Sequence, residues 1–504
     1  MVSTVDVGVL ARANYNATWI LVTAVATCPT VLALWMIYNV FLHSLRRYPG
    51  PKLWAATRLP WCWHQYHGRL PGRIADLHVK YGPIVRVAPN EISYTTDTAW
   101  KTIYGQRPVE MSKDPIFSIR NPSGVPNILN ADREGHSRQR RLLSHAFSEK
   151  ALREQESILL YHINKLLQNL STACTAGPVN LTEWFNFTTY DIIGDLSFGE
   201  GFGCLDRGDY DDFVRSVRRG TKELMFQQIL AYYKLSPLYK FLVPKSIAGS
   251  RLRNLQRTAA TVERRIKRDT NRKDFLQYIL AADEIKGMSK AEIHSNAFSL
   301  VIAGSESTAS ALTGTIFLLR THPDVYQRLV REIRSTYESE DEIRLANVHE
   351  LEYLEAVTME SLRMYPPVPI ALPRQVPDGG ETIDGVYVSA GTTVGVHHLA
   401  AYRSPNNFYR PNDFLPERWL ASHRDSKPFS SDNRASLQPF SFGPRNCLGK
   451  NLARSELRLI LTKLLWRFDI ELVEGQEDWM DGQLAFGLWW KPPMMCRLMP
   501  VTRD

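Results

Sequence analysis

Apolar positions divide the chain into three regimes. The first is a run from Ala13 to Leu42 that carries no charge and is rich in Trp, Leu, Ile and Val in its middle. Such a run is long enough to cross a bilayer as a helix, and Pro29 would kink that helix without forbidding it. In the second, from Trp61 to about Thr102, a helical pattern around Gly72 to Tyr81 gives way to IVRVAPNEISY, whose alternation predicts a small sheet. The third is mostly helical, through HSRQRRLLSHAF, WFNFTTYDIIGDLSFG and Asp211 to Ala231. Its longest pattern, Ala291 to Leu319, would measure about 43 Å at 1.5 Å per residue. Between His294 and Arg320 the only charge is Glu306, so this helix is expected to be buried. Short strands return from Val376 to Thr393 and from Ile470 to Met499. The expected fold is mainly α with small peripheral β-sheets, preceded by one N-terminal transmembrane helix.

The same patterning sets the domains. Residues 1–16 form a short lumenal tail, 17–42 the anchor and 43–60 a hinge carrying Arg46, Arg47 and Lys52 with Pro49 and Pro51; residues 61–504 form one large catalytic domain without linker or repeat. The basic residues after the anchor place that domain in the cytosol, and YPGPKL lacks a small-residue cleavage pattern, which favours an anchor over a cleaved signal. The sequon at Asn16-Ala17-Thr18 lies too near the membrane to be used. Six cysteines without paired spacing exclude a disulfide framework and a zinc site. A net charge of +9 without any basic low-complexity arm points to a membrane or an acidic protein partner, not to nucleic acid.

The chemistry concentrates in FSFGPRNCLG, Phe440 to Gly449. Gly443 and Gly449 let the backbone turn tightly against a flat body, Arg445 supplies a donor for anionic groups, and Cys447 is placed as a thiolate for haem iron. A lone cysteine is ordinarily a buried core thiol, and the surrounding decapeptide is what shifts the reading. A second cluster is AGSEST, Ala303 to Thr308. Gly304 leaves room on one face and Ser307 can bond back to the Ala303 carbonyl, which together should open the helix locally; Glu306, Ser307 and Thr308 would then relay protons to oxygen.

Glu360 and Arg363 share a helix face, and Arg418 in PERW offers a second guanidinium to the same carboxylate. His136 and Arg140 lie one turn apart and, with Arg374 and Arg445, could bind two acidic cofactor side chains. After the cysteine, Lys450, Arg454 and Arg458 line one helix face; together with Arg138 and Arg141 they form either a solvated face or a dock for an acidic electron donor.

With FxxGxRxCxG at Phe440 to Gly449, E-x-x-R at Glu360, FLPERW at Phe414 to Trp419, AGSES at Ala303 and H-x-x-x-R at His136, in this order, the chain resembles cytochrome P-450. The resemblance covers everything after the anchor and is closest to the microsomal class, in particular to filamentous-fungal secondary-metabolite oxidases such as trichothecene hydroxylases. It implies haem b with Cys447 as axial ligand, and O2 activated with NADPH-derived electrons from a separate NADPH-cytochrome P-450 reductase. It further implies propionates held by Arg445, His136, Arg140 and Arg374, a scaffold locked by Glu360, Arg363 and Arg418, and an acid–alcohol pair at Glu306 and Ser307. Ser307 stands where Thr is usual, so a stiffening methyl is missing.

The implied activity is membrane-anchored monooxygenation of a hydrophobic small molecule, a terpenoid or polyketide intermediate, at the endoplasmic reticulum. Candidate pocket residues are Ile116 and Phe117 in the long loop Ser112 to Arg133, Ile302 and Ala303, Val368 and Ile370, and Phe486 and Leu488. Two other classes stay open: a haem-thiolate isomerase or dehydratase that uses no oxygen, and a non-catalytic haem-binding sensor.

Overall fold

In the computed structural model, residues 27 and 29–502 are described, apart from 107, 118–122, 245–248, 269–271 and 281–286. The helices used below are α1 Leu59–Tyr66, α2 Arg133–Ser144, α3 Glu149–Ala173, α4 Leu181–Phe198, α5 Asp212–Tyr232, α6 Lys290–Thr321, α7 Glu352–Met364 and α8 Lys450–Arg467. They enclose one large apolar core drawn from α3, α4, α6, α7 and α8. A sheet of β1 Ile84–Ala88, β2 Glu91–Tyr94, β4 Arg374–Gln375 and β7 Thr393–Val396, in the order β1-β2-β7-β4, closes a smaller second core. The C-terminal strand β11 Met495–Pro500 pairs with β8 Phe468–Leu472 on one side and with β3 Val179–Asn180 on the other, β5 Glu381–Ile383 pairs with β6 Val386–Val388, and β9 Leu484–Phe486 pairs with β10 Leu488–Trp490 in a tight hairpin turning at Gly487. The mainly helical fold with small sheets is thus as expected.

Helix α6 starts at a capping box: Ser289 accepts from the Glu292 backbone while the Glu292 side chain accepts from the Ser289 backbone. It runs unbroken to Thr321, and its hydroxyls return to carbonyls one turn back: Ser305 to Val301, Ser307 to Ala303, Ser310 to Glu306 and Thr313 to Ala309, at 2.7–2.8 Å. The hydroxyls are satisfied within the helix, so it can lie buried. The expected local opening at Ala303–Thr308 is not there. Gly304 instead admits Ile193 of α4, whose Cδ1 would stand 2.7 Å from an added Cβ. Helix α4 needs this closeness because it is buried along nearly its whole length, and its Asp191 accepts from the Cys204 and Leu205 backbone.

The predicted anchor lies mostly outside the described residues. Residues 29–41 are helical and expose Val31, Leu32, Leu34, Trp35, Ile37 and Phe41, and among the described residues no helix is long and apolar enough to cross a membrane.

Gly314 of α6 carries a similar constraint, because an added Cβ would lie 2.3 Å from Tyr365 Cδ1. The Tyr365 ring cannot yield, being stacked on Trp489 at 5.1 Å and donating to Gln483 Oε1 at 2.6 Å. Gly314→Ala should therefore cost about 1–3 kcal/mol by overpacking. Gly72→Ala, in a helix with nothing within 4 Å of the new methyl, should be neutral or stabilising. Thermal midpoints of the two variants check this; equal midpoints would contradict it.

Candidate functional site

Cys447 sits between a strained loop and a helix start. Ser441 and Gly443 take φ of 60° and 74°, and a Cβ at Gly443 would lie 1.9 Å from the Tyr104 carbonyl oxygen, so only glycine fits. The Cys447 N–H donates to Phe440 O at 2.8 Å, which closes the loop, and α8 begins three residues on at Lys450. Phe440 itself is half-buried with Arg454 over its ring at 5.7 Å. Cys447 is exposed while its neighbours Asn446, Leu448 and Gly449 are half-buried. Burial pushes its thiol up, against the pull of the Gly449 N–H, Arg140 and Lys450.

Around this loop the structure gathers the predicted donors. Arg140 donates to Asn446 O at 2.7 Å, and Arg445 pairs with Glu110 and donates to Ala131 O at 3.0 Å. Arg374, buried, lies over the Tyr104 ring at 5.2 Å. Sequence reasoning missed Lys113, which bridges to Arg374 in a β-bridge. Burial, Arg374 and Arg445 lower its amine to about 7. Burial, with Arg445, Lys113, Arg140 and Arg374 all facing it, drives His136 to about 3, so this imidazole is neutral. Arg374 and Arg445 set against Glu110 leave a net positive charge, to which Lys113 adds when it is protonated. That donor set fits a body bearing two carboxylates, as haem does.

On α6, Ala303 is exposed and Ile302, Gly304, Glu306 and Ser307 are half-buried, in a helix otherwise enclosed from Thr308 to Leu319. Ser307 donates to Ala303 O at 2.7 Å and Thr308 lies 3.5 Å from Gly304 O. Glu306 does not meet Ser307. Its Oε1 accepts from Lys491, whose side chain is fully enclosed, and its Oε2 lies 3.9 Å from Arg218 Nε of α5. Neither cation was visible as a partner in the sequence, since one follows a C-terminal strand and the other sits mid-helix.

The scaffold carboxylate is Glu360, entirely buried. Arg363 Nε and Nη2 donate to it at 2.9 and 2.7 Å, Arg418 Nε at 3.1 Å, Trp419 Nε1 at 2.8 Å and Leu415 N at 2.9 Å. Burial raises its pKa, but Arg363, Arg418 and the Leu415 N–H more than offset this and hold it low. Arg418 also binds Asp432, a fourth member absent from the sequence reading.

Of the pocket candidates, Ile302, Phe486 and Leu488 line one cavity, walled by Tyr190, Val217 and Trp490. Ile116 and Phe117 do not line it; their backbone N–H groups cap onto Asp114 at 2.8 and 3.1 Å. Val368 is half-buried and Ile370 buried, also outside that cavity. The basic row is partly neutralised: Arg458 binds Glu355 at 2.8 Å, Arg454 lies 3.9 Å from it and Arg138 pairs with Glu292.

Comparison with known proteins gives one family. The model described as Cytochrome P450 matches residues 49–497. Averantin hydroxylase of Dothistroma septosporum is 42% identical over 494 residues, covering 96% of this chain and 93% of its own length. The cytochrome P450 monooxygenase astJ of Aspergillus oryzae is 42% identical over 480 residues, covering 94% and 95%. The cytochrome P450 monooxygenase stcF of Emericella nidulans is 43% identical over 476 residues, covering 92% and 98%.

Glu456 of α8 is a further acid that sequence reasoning passed over. It is enclosed, no hydrogen bond to either carboxyl oxygen is seen among the described residues, and burial pushes it up to about 8, eased by the nearby Thr308 hydroxyl. A carboxyl raised from 4.5 to about 8 on folding stabilises fully below pH 4.5, and that contribution is lost as the pH rises through 8. Glu456→Gln should therefore gain stability over the native chain between pH 5 and pH 8, on the order of a few kcal/mol. Urea unfolding at both pH values checks it, and a constant difference would contradict it.

Proposed function

Because the chain belongs to the cytochrome P450 family, and is a monooxygenase with relatives in fungal secondary metabolism, we propose that Cys447 holds its haem iron and that the enzyme hydroxylates a hydrophobic small molecule of the kind such pathways make. Haem, when bound, supplies the iron at which O2 is reduced with electrons from a redox partner. The observation that carries the assignment is the exposed Cys447 in a half-buried loop at the start of α8, with Arg140, Arg374 and Arg445 gathered around that loop. In this reading Arg374, Arg445, Lys113 and neutral His136 bind the two carboxylates, while Arg140 orders the loop through Asn446. Ser307, half-buried on α6 and bonded to Ala303 O, would hold a hydroxyl proton for the oxygen chemistry, with Thr308 beside it 3.5 Å from Gly304 O. The face formed by Ile302, Phe486 and Leu488 contacts the substrate, and the name averantin hydroxylase supports hydroxylation as its fate.

The chain is further proposed to be anchored in the endoplasmic reticulum membrane by residues 17–42, with the catalytic domain in the cytosol and NADPH-cytochrome P-450 reductase as electron donor. Lys450 and Arg141, for which no ion pair is seen among the described residues, would remain for that partner. The exposed apolar residues Leu59, Trp63 and Tyr66 of α1, with Phe241 and Leu242 beyond α5, support a second contact with lipid.

Cys447→Ala should abolish the reduced-CO thiolate spectrum, whereas an unchanged spectrum would remove Cys447 from the iron. Oxidation of the physiological precursor, identified by metabolite profiling after deletion in the producing organism, should require both NADPH and reductase; turnover without them would exclude monooxygenation. Removing residues 1–42 should weaken vesicle flotation without ending it, and Trp63→Ser with Phe241→Ser should remove the remainder. Loss of all flotation on truncation alone would argue against the second contact.

A further inference from the structure

The foot of the N-terminal helix is held by a buried arginine that meets no carboxylate. Arg86, in the middle of β1, is 2% exposed, and among the described residues its guanidinium is met by carbonyls alone. Nε and Nη2 donate to Pro89 O at 3.2 and 2.6 Å, and Nη1 donates to Asn39 O at 2.9 Å. Asn39 stands in the last turn of the helical residues 29–41, where carbonyls have no partner within the helix. Tyr38 O accepts from the Leu42 and His43 N–H groups, and Asn39 O accepts from Arg86. A cation on the negative end of a helix is favourable, and a charge enclosed without an acid depends on each such dipole. The buried Asn39 side chain donates in turn to Ala56 O at 3.0 Å.

The helix docks by one face. From Val31 to His43 the covered residues are Met36, Asn39, Val40 and His43, the i, i+3, i+4, i+7 stripe, and all others are exposed. The chain beyond is folded onto the domain: Ser44 Oγ lies 2.9 Å from Ser389 Oγ, Leu45 is buried in the smaller core, Tyr48 donates to Tyr387 O at 3.0 Å, and Pro49 O accepts from Arg86 N at 2.7 Å. The short helix Lys52–Ala56 then buries Trp54, Ala55 and Ala56, and α1 begins three residues later. Leu53, Leu59, Trp63 and Tyr66 are left exposed in this stretch, before and after the Ala56 carbonyl that Asn39 holds.

We propose that Arg86 and Asn39 make the N-terminal helix a rigid mount, so that the helix and the exposed apolar residues Leu53, Leu59, Trp63 and Tyr66 at its foot form one lipid-contact surface of fixed angle. The partner is a bilayer, which the helix enters and whose interface the foot residues meet. This rests on the reading of residues 17–42 as a membrane anchor. Its consequence is that the catalytic domain keeps one orientation over the lipid instead of swinging on a tether, and a hydrophobic substrate dissolved in that lipid meets the same face of the domain on every approach.

The test uses the full-length holoenzyme in oriented phosphatidylcholine bilayers, with haem tilt read as linear dichroism and haem retention as the reduced-CO spectrum. Every sample carries Trp63→Ser and Phe241→Ser, which removes the domain's own lipid contact, so that orientation comes from the mount. In that background the dichroism should be strong, and inserting Gly-Gly-Ser between Leu42 and His43 should leave it unchanged, because the contacts of Asn39 span the insertion. Asn39→Ala with Arg86→Gln and the same insertion should lower it at least threefold while flotation with vesicles is kept. Full dichroism in that combined variant, or a threefold loss from the insertion alone, would overturn the proposal. Should Arg86→Gln not retain haem, Asn39→Arg with the insertion replaces it, setting a like charge against an untouched Arg86, and the same threefold loss is expected. The two readings separate by flotation: if removing residues 1–42 does not weaken it, the anchoring reading falls and the mount with it; isotropic haem in a background protein that still floats overturns the mount alone.

Discussion

A carboxylate sealed from water, Glu360, fixes the ground on which the rest of the site stands. Removing a charge from water costs several kcal/mol, and only full pairing recovers it. Here two guanidinium groups meet two carboxylates, Arg363 and Arg418 against Glu360 and Asp432, with backbone carbonyls of Tyr402, Pro411 and Tyr409 taking the remaining N–H groups. The cluster ties α7 to the segment that leads to the thiolate loop. That segment is then held step by step: Arg434 donates to Arg418 O, Trp100 to Ser436 O and the Tyr402 hydroxyl accepts from Gln438 N. Cys447 inherits its position from a charge balance some thirty residues earlier.

The remaining buried acids divide by their neighbours. Glu306 has two cations beside it; Glu456 has none in contact and is a neutral acid near neutral pH. Both lie against the same turn of α6, one through its own backbone and the other beside Thr308. The two flanks of one helical turn thus differ by placement alone, because cations meet the one carboxyl and only desolvation acts on the other.

Motif residues were legible in the sequence because their chemistry depends on spacing along the chain: i,i+3 for Glu360 and Arg363, one turn for His136 and Arg140, and fixed positions around Cys447. The helical body was legible for the same reason, since a stretch with one charge between His294 and Arg320 has to be buried. What sequence reasoning missed are partners that meet only through the fold. Lys113, Glu110, Lys491, Arg218 and Asp432 lie in loops, at strand ends or on a mixed helix face, where a charged residue is ordinarily solvated. Gly304 was misjudged on a different ground: a helical glycine can weaken a helix or admit a neighbour, and only the position of Ile193 decides between them.

The pairing of Lys491 with Glu306 also explains why the apolar candidates were hard to sort. Phe486 and Leu488 read as hydrophobic because they wall a cavity, and Trp489 because it packs on Tyr365; all belong to one hairpin that ends in a buried cation. A buried lysine costs the fold unless its charge is met, so the hairpin has one favourable seat, the one that places Lys491 on Glu306 and Ser310. Electrostatics thus fixes the cavity wall, and the shape of the apolar cavity is set by an ion pair behind it rather than by hydrophobic packing alone.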